Sequence, residues 1–161
     1  MSRNDIIFDI NYSFYLENLF GTLMGRIDKF ISITLIVLGG SVFSHFGNVF
    51  IFGFLVAVIS AAQFIYQPGR ASGISDEQAK KYRQLITIEP TLADEELTRR
   101  FSEIQSLDSK PWSVLQSAAY KRASIKLGLE DKTAALTRPE SIWAWIAGDL
   151  PPKGESSPKD A

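Results

Sequence analysis

No charged residue occurs between Lys29 and Arg70. Roughly 40 consecutive positions therefore carry no formal charge, about twice the ~20 that a helix needs to cross a bilayer. A run of that length predicts two crossings. It is interrupted near its middle by Ser44-His45-Phe46-Gly47-Asn48, where Gly and Asn supply the turn chemistry that Ile, Leu and Val avoid. The expected fold is all-α: a membrane protein with a two-helix transmembrane hairpin, residues 30–44 forming the first crossing and residues 49–66 the second. Helices satisfy their own backbone groups in lipid, whereas a barrel would need several more strands of alternating polarity.

The flanks of this run set the expected organisation. Arg26 and Lys29 precede it, Arg70, Lys80, Lys81 and Arg83 follow it, and the connecting turn has neither Lys nor Arg. The positive-inside bias then places both termini in the cytoplasm of a multi-pass protein of the inner (plasma) membrane. The apolar run starts too late and is too long for a signal peptide, so it is expected to remain in the mature protein. Four regions follow: residues 1–29 with an amphipathic helix, the hairpin at 30–69, a cytosolic helical region at 70–149, and a disordered tail at 150–161. The cytosolic region is smaller than a typical enzyme domain.

Around the hairpin, residues 12–29 carry Phe14, Leu16, Leu19, Phe20, Leu23, Met24 and Ile27 at spacings of three and four, the pattern of an amphipathic helix. It either packs on the cytosolic helices or simply extends the first crossing, or else lies on the inner leaflet with Tyr12, Phe14, Tyr15 and Phe20 at headgroup level. Gln67-Pro68-Gly69 ends the second crossing, and Ser75 with Gln78 has the spacing of a capping box that would start the next helix. A further helix is expected from Thr91, with Asp94, Glu95 and Glu96 complementing its N-terminus. Residues 112–127 form another, burying Leu115, Ala118, Ala119, Arg122 and Ile125 and stopping at Gly128. Arg138-Pro139 opens a short helix through Ala147.

Several residues are candidates for function. Gly39, Gly40, Gly53, Ala57 and Ala61 are small enough to let helix backbones approach, within the hairpin or between protomers of a homo-oligomer. Ser32, Ser41, Ser60 and Gln63 are the candidate lining of a pore, which would be weakly selective because no ionisable side chain but His45 falls within the run. Trp112, Trp143 and Trp145 are candidates for docking a cytosolic partner. Lys80, Lys81, Arg83, Lys121, Arg122 and Lys126 are read as a basic surface facing solvent or lipid headgroups. No catalytic motif is present, so an enzyme is not expected. With no cysteine, one histidine and a net charge of −1, neither a metal, a cofactor nor direct nucleic-acid binding is expected.

The order of these features, with Ala79-Lys80-Lys81-Tyr82-Arg83-Gln84-Leu85 opening the region after the second crossing, resembles the SLATT domains, two-transmembrane proteins of bacterial conflict systems. The resemblance spans about residues 14–128. Pro68-Gly69 and the extension with Trp143-Ala144-Trp145 depart from it. It implies an oligomeric pore-forming or membrane-disrupting effector in antiviral defence, acting on the lipid bilayer and associated with a cytosolic protein or nucleotide signal. The alternatives are a non-conducting membrane anchor or assembly subunit that docks a cytosolic partner, and a phage holin-like protein.

Overall fold

The computed structural model describes residues 2–41, 49–130 and 133–152, apart from the side chains of Ser41 and Val49. The turn at residues 42–48, with Ser44 and His45, and the tail after Pro152 lie outside the described residues. Helix α1 runs from Arg3 to Ser41, 39 residues and about 58 Å at 1.5 Å per residue. It has no proline, and Ser2 and Asp5 close its start reciprocally, Ser2 N–H donating to Asp5 and Asp5 N–H to the Ser2 hydroxyl. The amphipathic segment and the beginning of the apolar run are thus one helix. Residues 3–11, which show no pattern strong enough to predict, belong to it too, with Ile6 and Ile10 buried.

Helix α2 (Val49–Tyr66) and helix α3 (Pro68–Ile88) are separated by Gln67 alone. Proline disfavours the right-handed helical region for the residue before it, and Gln67 takes a left-handed conformation with φ 44°. Helical hydrogen bonding still spans the joint, since Gln67 N–H reaches Gln63 O and Ala71 N–H reaches Gln67 O. The expected helix start at Ser75 is therefore corrected to Pro68. Ser75 lies inside α3, fully buried, and its hydroxyl donates to Ser109 instead of capping.

A 3-10 turn at Glu89–Thr91 leads into α4 (Asp94–Gln105), which carries Asp94, Glu95 and Glu96 in its first turn. A second 3-10 turn, Ser113–Leu115, precedes α5 (Gln116–Lys126), and α6 spans Arg138–Ile146. Gly128 ends α5 with φ 66°. The buried side of α5 holds Leu115, Ala118 and Ala119 as expected, but Lys121, Ala123 and Ser124 complete it, and Ile125 is exposed. No strand occurs among the described residues.

The α1–α3 pair is the axis of the molecule. Along α1 in descending order, Asp28 faces Gly69, Gly25 faces Ser72, Gly21 faces Asp76, and Arg3 bonds Glu89, so the two helices are antiparallel. Contact is close because α1 offers glycine. A Cβ on Gly25 would stand 2.9 Å from Ser72 Oγ, and one on Gly21 would stand 3.3 Å from Ser75 Cβ. The Ser72 hydroxyl uses that approach to donate to Gly21 O at 2.8 Å. Two apolar clusters flank the pair. One gathers Leu19, Phe20, Leu23 and Met24 with Leu115, Ala118, Ala119, Ala144 and Ala147; the other joins Ile6 and Ile10 to Tyr82, Leu85, Leu97 and Phe101. Burial of Phe20 in the first cluster leaves it unable to sit in headgroups as the interfacial alternative required.

Candidate membrane-facing surface and the polar seam beneath it

Above Lys29 only α1 and α2 continue, packed against each other. Phe30 is 71% exposed and Phe50 88%, and Ile33, Ile36, Val37, Ile51, Phe54, Leu55, Val58, Phe64 and Ile65 are exposed to a lesser or similar degree. Burying a side chain of this kind is worth roughly 1.5–3 kcal/mol, so leaving so many bare in water is unfavourable. The apolar part of the Phe50–Thr91 stretch is long enough to cross a membrane, and none of it is buried within the molecule.

The half-buried positions of α2, Phe52, Val56, Ile59, Ala62 and Gln63, recur at helical spacing and mark the face toward α1. At its lower end Gln63 Nε2 donates to Asp28 Oδ1 at 3.3 Å and to Ser32 Oγ at 3.4 Å. Two of the candidate pore residues, Ser32 and Gln63, are thus brought together between the helices. Ser60 is exposed away from them, and the Ser41 side chain is not described. Gly53, Ala57 and Ala61 are exposed on a different face of α2, and a Cβ on Gly39, Gly40 or Gly53 would meet nothing within 4 Å. The glycines that bring backbones together inside the chain are Gly21 and Gly25. Their four-residue spacing was present in the sequence, in a stretch the charge-free run did not include.

The boundary itself carries Lys29, Tyr66 and Arg70, all exposed. Just below, Arg26 Nη1 donates to Ile146 O at 2.6 Å and ties the end of α6 to α1. Of the three tryptophans, Trp112 and Trp143 meet edge to face with ring centroids 5.6 Å apart, and Trp143 packs on the Leu19–Met24 cluster. Trp145, two residues on, points outward and is 69% exposed. The six basic residues do not form one surface. Lys121 is buried and donates to Thr133 Oγ1, Arg122 is paired with Asp149, Lys81 lies near Glu77, and Arg83 stacks over the Phe14 ring at 5.3 Å.

Deeper in the bundle, α1, α3 and the α4–α5 connection meet in a polar seam. Glu17 is only 1% exposed; its carboxylate accepts from Ser109 N–H at 2.9 Å and Ser109 Oγ at 2.7 Å. Beside it the Tyr82 hydroxyl donates to Asp108 at 2.7 and 2.8 Å, and Gln78 Nε2 reaches Ile104 O. Burial pushes the Asp108 carboxyl up to about 6, the Tyr82 hydrogen bond opposes this, and the nearby Glu17 charge adds to it. Burial, followed by the bond to Asp108, raises the Tyr82 phenol as well. An acid at position 17 within the apolar pattern of residues 14–27 was the sequence signal for this seam. The seam holds helices together; its two carboxylates lack the third ligand that would make a cluster able to hold a metal ion among the described residues.

The described residues thus define an all-helical protein with one apolar segment long enough to cross a membrane. Comparison with models of protein families, with curated proteins and with solved structures finds no match.

Proposed function

We propose that residues 30–41 of α1 and all of α2 cross the bilayer together as a helical hairpin, with the α1–α3 bundle on the cytoplasmic side, and that the protein is an oligomeric membrane effector. The observation that carries this reading is the abrupt change along α1, from a lower half packed into the bundle to an upper half that meets α2 alone and leaves Phe30, Ile33 and Ile36 exposed. Bare apolar helices are stable where lipid replaces water. The Lys29, Tyr66 and Arg70 collar supports the same placement, since basic and aromatic side chains suit the interface. Oligomerisation is supported by the outward Gly53–Ala57–Ala61 face, which no segment of the described chain uses. Pore formation, and a place in bacterial defence, rest on the resemblance to SLATT domains.

Purified protein in planar bilayers tests this reading, with Ala57→Leu beside it. Discrete currents in the native chain, lost in the variant together with association in mild detergent, are expected. A chain that stays monomeric and silent in lipid overturns the effector reading. The second reading, a non-conducting anchor, draws support from the Gln63–Ser32–Asp28 bonds, which engage polar groups between α1 and α2 that a pore would turn to its water.

A further inference from the structure

We propose that α6 is a third contact with the bilayer: its outward face, Ile142 and Trp145, lies in the headgroup region of the leaflet that α1 and α2 enter. This rests on the membrane reading above and adds to it a surface outside the charge-free run. The direction of α6 is the first argument. Its N-terminal Thr137 and Glu140 line one cleft with Tyr12 of α1, while its last carbonyl, Ile146 O, is held by Arg26. Helix α6 therefore climbs α1 toward the bare segment, and its last turn stands at the level of Arg26. Phe30 is four residues further, about 6 Å along the axis.

That height is fixed by structure. Gly148 follows the helix with φ 89°, and a Cβ there would stand 2.9 Å from Arg26 Nη2, so the glycine both turns the chain and admits the guanidinium. Arg26 in turn satisfies a carbonyl at the negative end of the α6 dipole. On the inner side of α6, Ala144 and Ala147 are buried against the Leu19–Met24 cluster. On the outer side Ile142 is 57% and Trp145 69% exposed, three residues apart and so on one face.

The occupant follows from what shares that level. Lys29, Tyr66 and Arg70 ring the same boundary, and the bare apolar surface continues directly above it. An indole has an apolar body and one N–H donor, which matches the headgroup boundary better than either water or the acyl interior. With α6 in place the bundle rests against the membrane and does not hang from it by two helices alone.

The chain has no cysteine, so single nitroxide labels can be placed without background. Full-length Trp145→Cys, Ile142→Cys, Phe54→Cys and Leu129→Cys variants, labelled and reconstituted in phosphatidylcholine–phosphatidylglycerol vesicles, are compared by accessibility to oxygen and to a water-soluble nickel complex. Phe54 reports on the crossing, and Leu129, exposed beyond the far end of α5, reports on water. The proposal expects labels at 142 and 145 to lose nickel accessibility relative to 129 and to gain oxygen accessibility, at a depth shallower than 54. If 54 is in lipid while 142 and 145 match 129, α6 is not a membrane contact and the membrane reading survives. If 54 is itself in water, the membrane reading fails and the proposal with it. Labels at 142 and 145 closed to both reagents would assign the face to contact between copies, which also overturns the proposal.

Discussion

The two halves of α1 share one backbone and little else. In the lower half every third or fourth side chain is buried, from Ile6 to Met24, and even an acid, Glu17, finds partners for its carboxylate. In the upper half the side chains are as apolar, yet Phe30, Ile33, Ile36 and Val37 are each more than 60% exposed. Hydrophobicity alone does not distinguish core from membrane face; the presence of polar residues opposite the apolar stripe does. In the lower half charged and polar residues such as Arg3, Asp5, Arg26 and Lys29 interrupt the apolar pattern, whereas residues 30–41 carry no charge on any face and suit a solvent that is itself apolar.

That contrast breaks most visibly on truncation. Leu23→Ala removes a fully buried side chain, and about 2–5 kcal/mol of bundle stability should be lost in chemical denaturation of the detergent-solubilised protein. Ile36→Ala should leave the same transition in place. Equal losses at both positions would mean that the upper half is covered by protein after all. Ile36→Lys sharpens the point: a lysine at the centre of a membrane helix costs about 2.5–3.5 kcal/mol, so the inserted fraction in a translocation assay should fall, while the fold of the lower bundle persists. An unchanged inserted fraction would mean that position 36 does not face lipid.

Much of the lower bundle was legible as pattern, and the failures have specific causes. The same capping signature occurs twice. Thr137 and Glu140 form a true box that starts α6, with Glu140 Oε2 accepting from Thr137 N–H at 2.7 Å. Ser75 and Gln78 have equal spacing but cap nothing, because Pro68 has already started α3 and the Ser75 hydroxyl is bonded across the bundle to Ser109. Local spacing cannot tell the two apart; tertiary contact decides. Among the small residues, the charge-free run drew attention to Gly39, Gly40 and Gly53, which face open space, and away from Gly21 and Gly25, which set the α1–α3 distance. The seam was hidden for a related reason: Glu17 meets Ser109 across 92 positions of sequence.

Smaller effects test the seam. Glu17→Leu leaves the Ser109 N–H and hydroxyl without their acceptor, and a destabilisation of about 1–3 kcal/mol is expected by thermal melting. Asp108 gives a dependence on pH of known sign. Its folded value of about 6 lies above its ordinary 3.8, so the folded state holds the proton more tightly. Its contribution is fully present below about pH 4 and is lost as pH rises through about 6, on the order of 1 kcal/mol after allowing for partial solvent screening. Asp108→Asn should flatten stability across that window. A profile that keeps its slope in this variant would assign the titration to another group.

The joint at Gln67 gives the paired columns unequal stiffness. On one side α1 is an unbroken rod that extends from the lower bundle into the bare segment; on the other, α2 meets α3 at a single left-handed residue. If the upper segments lie in lipid as proposed, the one break in the helical backbone between them and the bundle falls at Gln67, on the α2–α3 column, and the α1 column has none. Below that level the two columns are locked to each other along their length, from Gly25 against Ser72 and Gly21 against Ser75 down to Arg3 on Glu89, so any displacement of the upper part of α1 is imposed on α3 as well.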